Sequence, residues 1–360
     1  GDFIVSNSSF INTTSGSSGG AISGDVSATV IDSIFINTTA NSNGGAIRIN
    51  GNATVTDSTF KDTISTSGSG GAIWIIGNAT VTDSTFTDTT AGQSGGEGQN
   101  GGAIFSVNNV AVYNSTFTDT TARQSGGAIF SGNNVAVYNS TFKDTTAGQS
   151  GGAIRSGYGN LTVSGSTFTD NSANNGGASI YAYGVLNVKD STFNSPNANG
   201  TAIIYISSSN KDVNLTNNSI TSNLLAIYNN GGNITSPTSL KFQNVTVDAG
   251  ENATLTAVLT DDKGNIIGSN TGVEGKVGDN NVTFAFNETT RKFTAIYTPR
   301  TKGKYPITGS YSQANASTVI NGTLTVKGGH DFIELQDIIN ATAPNTILYL
   351  NGTNYTAKPG

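Results

Sequence analysis

The sequence predicts an all-β protein built mainly as a right-handed parallel β-helix, and three observations carry that reading. The tetrad Gly-Gly-Ala-Ile begins at Gly19, Gly44, Gly70, Gly101, Gly126 and Gly151, and recurs in altered form at Gly176 and Gly200. A second mark, usually Ser-Thr-Phe, supplies Phe10, Phe35, Phe60, Phe86, Phe117, Phe142, Phe168 and Phe193, with Ile220 in the next slot. Both marks step by about 25 residues with no helical segment between them, which suits a β-solenoid better than a propeller blade or a leucine-rich repeat.

Each element follows from its residues. Val110, Val112, Val135, Val137, Leu161, Val163, Leu186 and Val188 alternate with Ala111, Tyr113, Ala136, Tyr138, Thr162, Ser164, Asn187 and Lys189. A period of two is strand patterning, with the first set inward. If each Phe stacks on the next at roughly 4.8 Å, about nine coils make a rod on the order of 40 Å long. Burying each ring contributes about 1.5–3 kcal/mol, so this column is the expected main stabiliser. The paired glycines suit turns that need positive φ or close backbone approach. The Asn or Asp after each Phe (Asn12, Asn37, Asp62, Asp88, Asp119, Asp144, Asp170) is expected at the next turn, capping backbone groups. Three strands per coil are expected, and the Gly-rich residues 91–100 read as a loop pushed out of a regular coil.

Pro237 ends the repeat. Strand-like runs at residues 240–247, 253–259, 282–286, 293–297, 304–311 and 318–326 follow, separated by turn signals, and predict an immunoglobulin-type β-sandwich without its disulfide. Beyond it, Phe332, Leu335, Ile338 and Ile339 fall on one helical face, and residues 346–350 read as a strand. The division is therefore 1–235 β-helix, 236–328 sandwich, and 329–360 the capping helix and strand of a following β-helix. Both ends read as cuts through a tandem array.

The Gly-Gly-Ala-Ile tetrads, with Asn or Asp following the Phe, resemble the GGAI/FxxN-type repeats of bacterial polymorphic outer-membrane proteins. They are more similar still to adhesin-like surface proteins of methanogenic archaea, in which β-helices alternate with bacterial-type Ig-like modules. The resemblance implies an extracellular, envelope-associated segment whose partners are a glycan or protein of another cell, or neighbouring copies of itself.

Composition narrows the chemistry. With no Cys, a disulfide scaffold, a thiolate metal site and a Cys nucleophile are excluded. Seventeen Lys plus Arg against 23 Asp plus Glu give a net charge of −6 without a basic cluster, which argues against nucleic acid. No run of about 18 apolar residues spans a membrane. No motif calls for a cofactor or metal, and no catalytic residue is assigned. Parallel β-helices also carry polysaccharide lyases and hydrolases, but such a site needs paired or clustered carboxylates in singular positions. In the β-helix the acids are mostly the recurrent Asp57 and Asp83, and Asp62, Asp88, Asp119, Asp144 and Asp170, which serve the coil. Glu97, inside the insertion, is the best single enzyme candidate but has no partner in the sequence, and His330, the single histidine, lies in a linker beside Asp331.

Binding is the remaining reading. If the Ile of each tetrad points inward, its successor points outward, which puts Arg48, Trp74, Phe105, Phe130 and Arg155 in one exposed stripe. Tyr113 and Tyr138 form a second outward pair on the neighbouring sheet. Such a stripe suits sugar rings or a partner protein, or else packs against a neighbouring module. Asn-x-Ser/Thr acceptors include Asn52, Asn78, Asn114, Asn139, Asn160, Asn214, Asn244, Asn281 and Asn321, the candidate glycosylation sites. The expected function is that of a non-enzymatic adhesin-like segment. The alternatives are a structural unit of a surface sheath or filament, and a carbohydrate-active β-helix enzyme.

Overall fold

The computed structural model describes residues 2–92, 98–207, 211–314, 317–327, 337, 339–341 and 343–344. The chain forms two compact units, Gly1–Ser236 with Asp261–Ile267, and Pro237–Thr260 with Gly268–Gly360.

The first unit is a parallel β-helix with four walls rather than the three strands per coil expected. A valine wall of ten strands runs from Phe3–Ser6 to Asn233–Ile234, and a phenylalanine wall of nine from Ser9–Ile11 to Ser219–Ser222. A short wall of seven runs from Thr14–Ser15 to Ser172–Ala173. The tetrad wall passes through Ile22–Gly24, Ile47–Ile49, Ile73–Ile75, Ile104–Ser106, Ile129–Ser131 and Ile154–Ser156 to Gly177–Ala182, Ala202–Ile206 and Leu225–Asn229. The short wall consists of two-residue strands, too brief to leave an alternation in the sequence.

Equivalent residues pair coil to coil. Phe60 stands between Phe35 and Phe86, and Val81 between Val55 and Val112. On the phenylalanine wall, the rings from Phe35 to Phe193 are at most 1 % exposed, and successive rings lie parallel 4.6–4.9 Å apart. The buried pair flanking the corner between tetrad and valine walls trades volume along the axis. It is Ile49 with Ala53 and Ile75 with Ala79, then Ser106 with Val110 and Ser131 with Val135, then Ser156 with Leu161. The larger residue changes sides while the corner stays filled, as a close-packed interior requires.

The corners explain the recurrent polar residues. Asn7, Asp32, Asp57, Asp83, Asn114, Asn139 and Asp190 precede the phenylalanine wall, and Asn12, Asn37, Asp62, Asp88, Asp119, Asp144 and Asp170 follow it; all have φ between 47° and 58°. Asn and Asp enter this left-handed region more readily than other residues with a Cβ. Their role is backbone conformation rather than the capping expected: Asn37 Nδ2, for example, donates along the axis to Asn12 Oδ1 (2.7 Å). Capping falls to the Ser of Ser-Thr-Phe. Ser58 N–H donates to Ser84 Oγ (3.2 Å) and Ser84 N–H to Ser115 Oγ (3.1 Å), while the Ser58 and Ser84 hydroxyls donate to the carbonyls of Thr56 and Thr82. In the tetrad, the first glycine takes positive φ (67° at Gly101), and a Cβ on the second, Gly102, would lie 1.9 Å from the Gly127 carbonyl oxygen. No side chain fits there.

Asp261–Ile267, which the sequence placed within 236–328, belongs instead to the first unit and lies against its last coils. Asn217 N–H donates to Asp262 Oδ2 (2.9 Å), Asn265 Nδ2 to the Asn218 carbonyl (2.8 Å) and Ile227 N–H to the Ile266 carbonyl (3.2 Å). Backbone groups at a solenoid end are otherwise an open edge, and this segment satisfies some of them. Burial raises the Asp261 carboxyl above the usual range, against hydrogen bonds from Asn265 and Lys263 that lower it.

The second unit is a nine-stranded, largely antiparallel β-structure around Phe242, Leu255, Phe284, Phe293, Ile307 and Leu324, all buried. The expected runs 240–247 and 318–326 are each split. Thr238–Phe242 pairs in parallel with Ser317–Ile320, and beyond the break Val245–Asp248 pairs in parallel with Gly322–Lys327. Thr323 N–H donates to Asn244 Oδ1 (2.8 Å) at that break. A strand the sequence did not signal, Val273–Val277, forms a hairpin with Asn280–Asn287. Of the helix expected within 329–360, Asp337 and residues 339–341 are helical, whereas Phe332, Leu335, Ile338 and residues 346–350 lie outside the described residues. Among the described residues no helix is long and apolar enough to cross a membrane.

Candidate binding face

The outward side of the tetrad wall carries the candidate site. Arg48, Trp74, Phe105, Phe130 and Arg155 are register partners on successive strands, as the spacing predicted. They are half-buried rather than exposed, because neighbours on the column cover each other's faces. Trp74 and Phe105 stack at 6.1 Å and Phe105 and Phe130 at 5.4 Å. The Arg48 guanidinium lies 5.5 Å from the Trp74 ring centre and pairs with Asp25 at 2.9 Å. Tyr113 and Tyr138 stack at 5.3 Å on the valine wall.

The column does not stop at Arg155. Tyr181, Tyr205 and Tyr228 continue it in register, with ring centres 5.0 and 5.2 Å apart. The tetrad motif hid them. In Gly176-Gly177-Ala178-Ser179-Ile180 one extra residue precedes the Ile, and the pairing shifts between Gly177 and Ile180, so Ile180 takes the inward slot and Tyr181 the outward one. The readable signal was the dipeptide Ile-Tyr at Ile180, Ile204 and Ile227. Such bulges re-aim side chains at functional sites. A Cβ on Gly176 would fall 2.6 Å from the Tyr181 ring, so this glycine lets the ring lie down.

Tyr183, also absent from the sequence reading, meets Tyr181 edge-on at 5.2 Å and accepts its hydroxyl hydrogen bond at 3.4 Å. Burial pushes the Tyr181 hydroxyl up to about 12. Tyr183 moves the other way: the hydrogen bond from Tyr181 lowers it, burial opposes this, and the nearby positive charge of Arg155 lowers it further. Tyr205 is raised by burial.

Residues 21–193 match the family model described as right handed beta helix region. No curated protein matches the chain. The stretch matched as right-handed β-helix holds the column from Arg48 to Tyr181, together with Tyr183.

All nine candidate glycosylation asparagines are exposed. Asn52, Asn78 and Asn160 stand on one corner of the β-helix in an axial amide ladder: Asn52 Oδ1 accepts from Asn78 N–H (2.9 Å), and Asn160 Oδ1 from Val185 N–H (3.1 Å). Asn114 and Asn139 are positive-φ corner residues. Asn214 Oδ1 accepts from its own acceptor-triplet hydroxyl, Thr216 (2.5 Å). Asn244 and Asn321 lie at the strand breaks of the second unit, and Asn281 on its hairpin.

At the corner that follows the phenylalanine wall, Asp119 is raised by partial burial and then by the charges of Asp144 and Asp88. Among the described residues no three His, Cys, Asp or Glu are grouped to hold a metal ion. Glu97 and His330 lie outside the described residues.

Proposed function

We propose that the chain is a non-enzymatic, extracellular, adhesin-like segment, in which the β-helix displays the column from Arg48 to Tyr228 to a glycan or partner protein. The second unit acts as an immunoglobulin-like spacer. The observation that carries this reading is the column itself: eight outward positions in register, six aromatic and two arginine. A solenoid needs no such rings on its outer surface, since its interior already buries a complete phenylalanine column. Flat aromatic faces beside guanidinium groups stack on sugar rings and donate to their hydroxyls. The surface asparagines support an exported glycoprotein. The resemblance to archaeal adhesin-like proteins points the same way. Against the enzyme reading stands the left-handed conformation of the recurrent aspartates, which accounts for them as corner residues.

The test is a glycan-array and whole-cell binding screen of the 360-residue chain beside a Trp74→Ser, Phe105→Ser, Phe130→Ser variant. Capture by the wild-type chain that the variant loses supports the face. Capture by neither protein overturns the adhesin reading in favour of a structural sheath or filament unit.

A further inference from the structure

Beside Arg155 the column opens into a cavity of about 400 Å³, lined among others by Gln149, Asn175, Tyr183, Thr201 and Tyr205. Three rings surround the guanidinium, with centres 5.5 Å (Phe130), 5.4 Å (Tyr181) and 5.6 Å (Tyr183) away. Nη1 donates to Ser125 Oγ at 2.6 Å, and Nε is buried without an acceptor among the described residues. No carboxylate among the described residues pairs with this arginine, whereas Arg48 on the same column is neutralised by Asp25. A partly desolvated cation held between rings, with its charge unmatched and polar side chains around it, is complementary to an anion on a ligand with a stacking face.

We propose that this cavity binds an acidic sugar, its anionic group on the Arg155 guanidinium and its ring against the tyrosines. The cavity is of ordinary small-ligand size. Tyr158, 91 % exposed and 6.2 Å from the Tyr183 ring, extends the platform at the rim for a second sugar residue. Carboxylate and sulfate present the same fork-matching oxygens, so the class is an anionic pyranose. This inference rests on the glycan-binding reading of the column and adds the charge of the ligand.

The experiment is calorimetric titration of the full chain with an oligogalacturonate, a sulfated galactan oligosaccharide and a neutral galactan oligosaccharide of equal length. At least one acidic ligand is expected to bind about tenfold or more tightly than the neutral one, the scale of a charge-assisted hydrogen bond. Arg155→Gln should erase that preference by weakening the acidic ligands about tenfold more than the neutral one, and the tighter of the two acids identifies the anionic group. Because Arg155→Gln also removes ring contacts, a second readout uses the unmutated chain. An anion beside Arg155 should move the Tyr183 phenolate titration upward, seen in ultraviolet absorbance. Equal affinity for acidic and neutral sugars, a preference that survives in Arg155→Gln, or an unmoved Tyr183 titration overturns the inference while the column reading stands. Failure of all three sugars to bind overturns the inference, and the column reading is then decided by the array and cell screen alone.

Discussion

Two aromatic columns grow on the same coil step in the β-helix, one inside and one outside, and they obey different rules. The inner column repeats a single residue, Phe, at 4.6–4.9 Å from Phe35 to Phe193. The outer one mixes Trp, Phe, Arg and Tyr at looser ring spacings of 5.0–6.1 Å. Inside, the interstrand distance and the absence of water leave one solution that fits every coil. Outside, the register still fixes where each residue stands, but no packing demand fixes which residue it is. Uniformity marks the column that folds the chain, and variety marks the one free to be shaped by a ligand.

Substitutions can break or sharpen that contrast. The largest effect is expected from Phe117→Ala, which leaves a ring-sized void in the inner column and should cost about 3–5 kcal/mol in denaturant unfolding. A loss below about 1 kcal/mol would show that the inner column is not the main stabiliser. Next comes the corner residue Asp88, at φ 53°. Asp88→Ala should cost about 1–2 kcal/mol because Ala strains there, and Asp88→Gly much less; equal losses would contradict a conformational role. On the outer column, Phe105→Ser should cost only about 1 kcal/mol, the worth of an exposed cross-strand ring contact.

The smallest effect lies in alkaline titration. The folded-state Tyr181 hydroxyl, at about 12, lies above its ordinary 10.0, so the unfolded chain releases that proton first. Its contribution to stability is therefore intact below pH 10.0 and falls as pH rises toward about 12. Tyr183 is shifted below 10.0 and acts oppositely, adding stability as pH rises through the window below that value. Phenolate absorbance should show one early tyrosine, Tyr183, and two late ones, Tyr181 and Tyr205. Tyr183→Phe should remove the early one, and an unchanged curve would contradict the assignment.

Much of this was legible in the sequence where one residue recurs for one reason. Phe35, Val55 and Gly102 meet the same demand in every coil, so period and burial follow from counting. The fourth wall was not legible, because strands such as Thr121–Ala122 are two residues long and carry no alternation. Tyr181 was missed because Ser179 inserts one residue before the outward slot, and a bulge moves the register without changing the composition. Tyr205 was missed because the tetrad pattern puts Ile203 in the inward slot, which the pairing gives to Ile204. The return of Asp261–Ile267 to the first unit depends on tertiary pairing with Asn217 and Asn218, which no local pattern announces.

The measurement that tests the separation of the two columns most directly is the unfolding midpoint of the Trp74→Ser, Phe105→Ser, Phe130→Ser variant, taken beside its glycan and cell capture. A folded variant that unfolds later than Phe117→Ala yet captures nothing is the predicted result. A variant that unfolds as early as Phe117→Ala, or one that still captures what the wild-type chain captures, would contradict it.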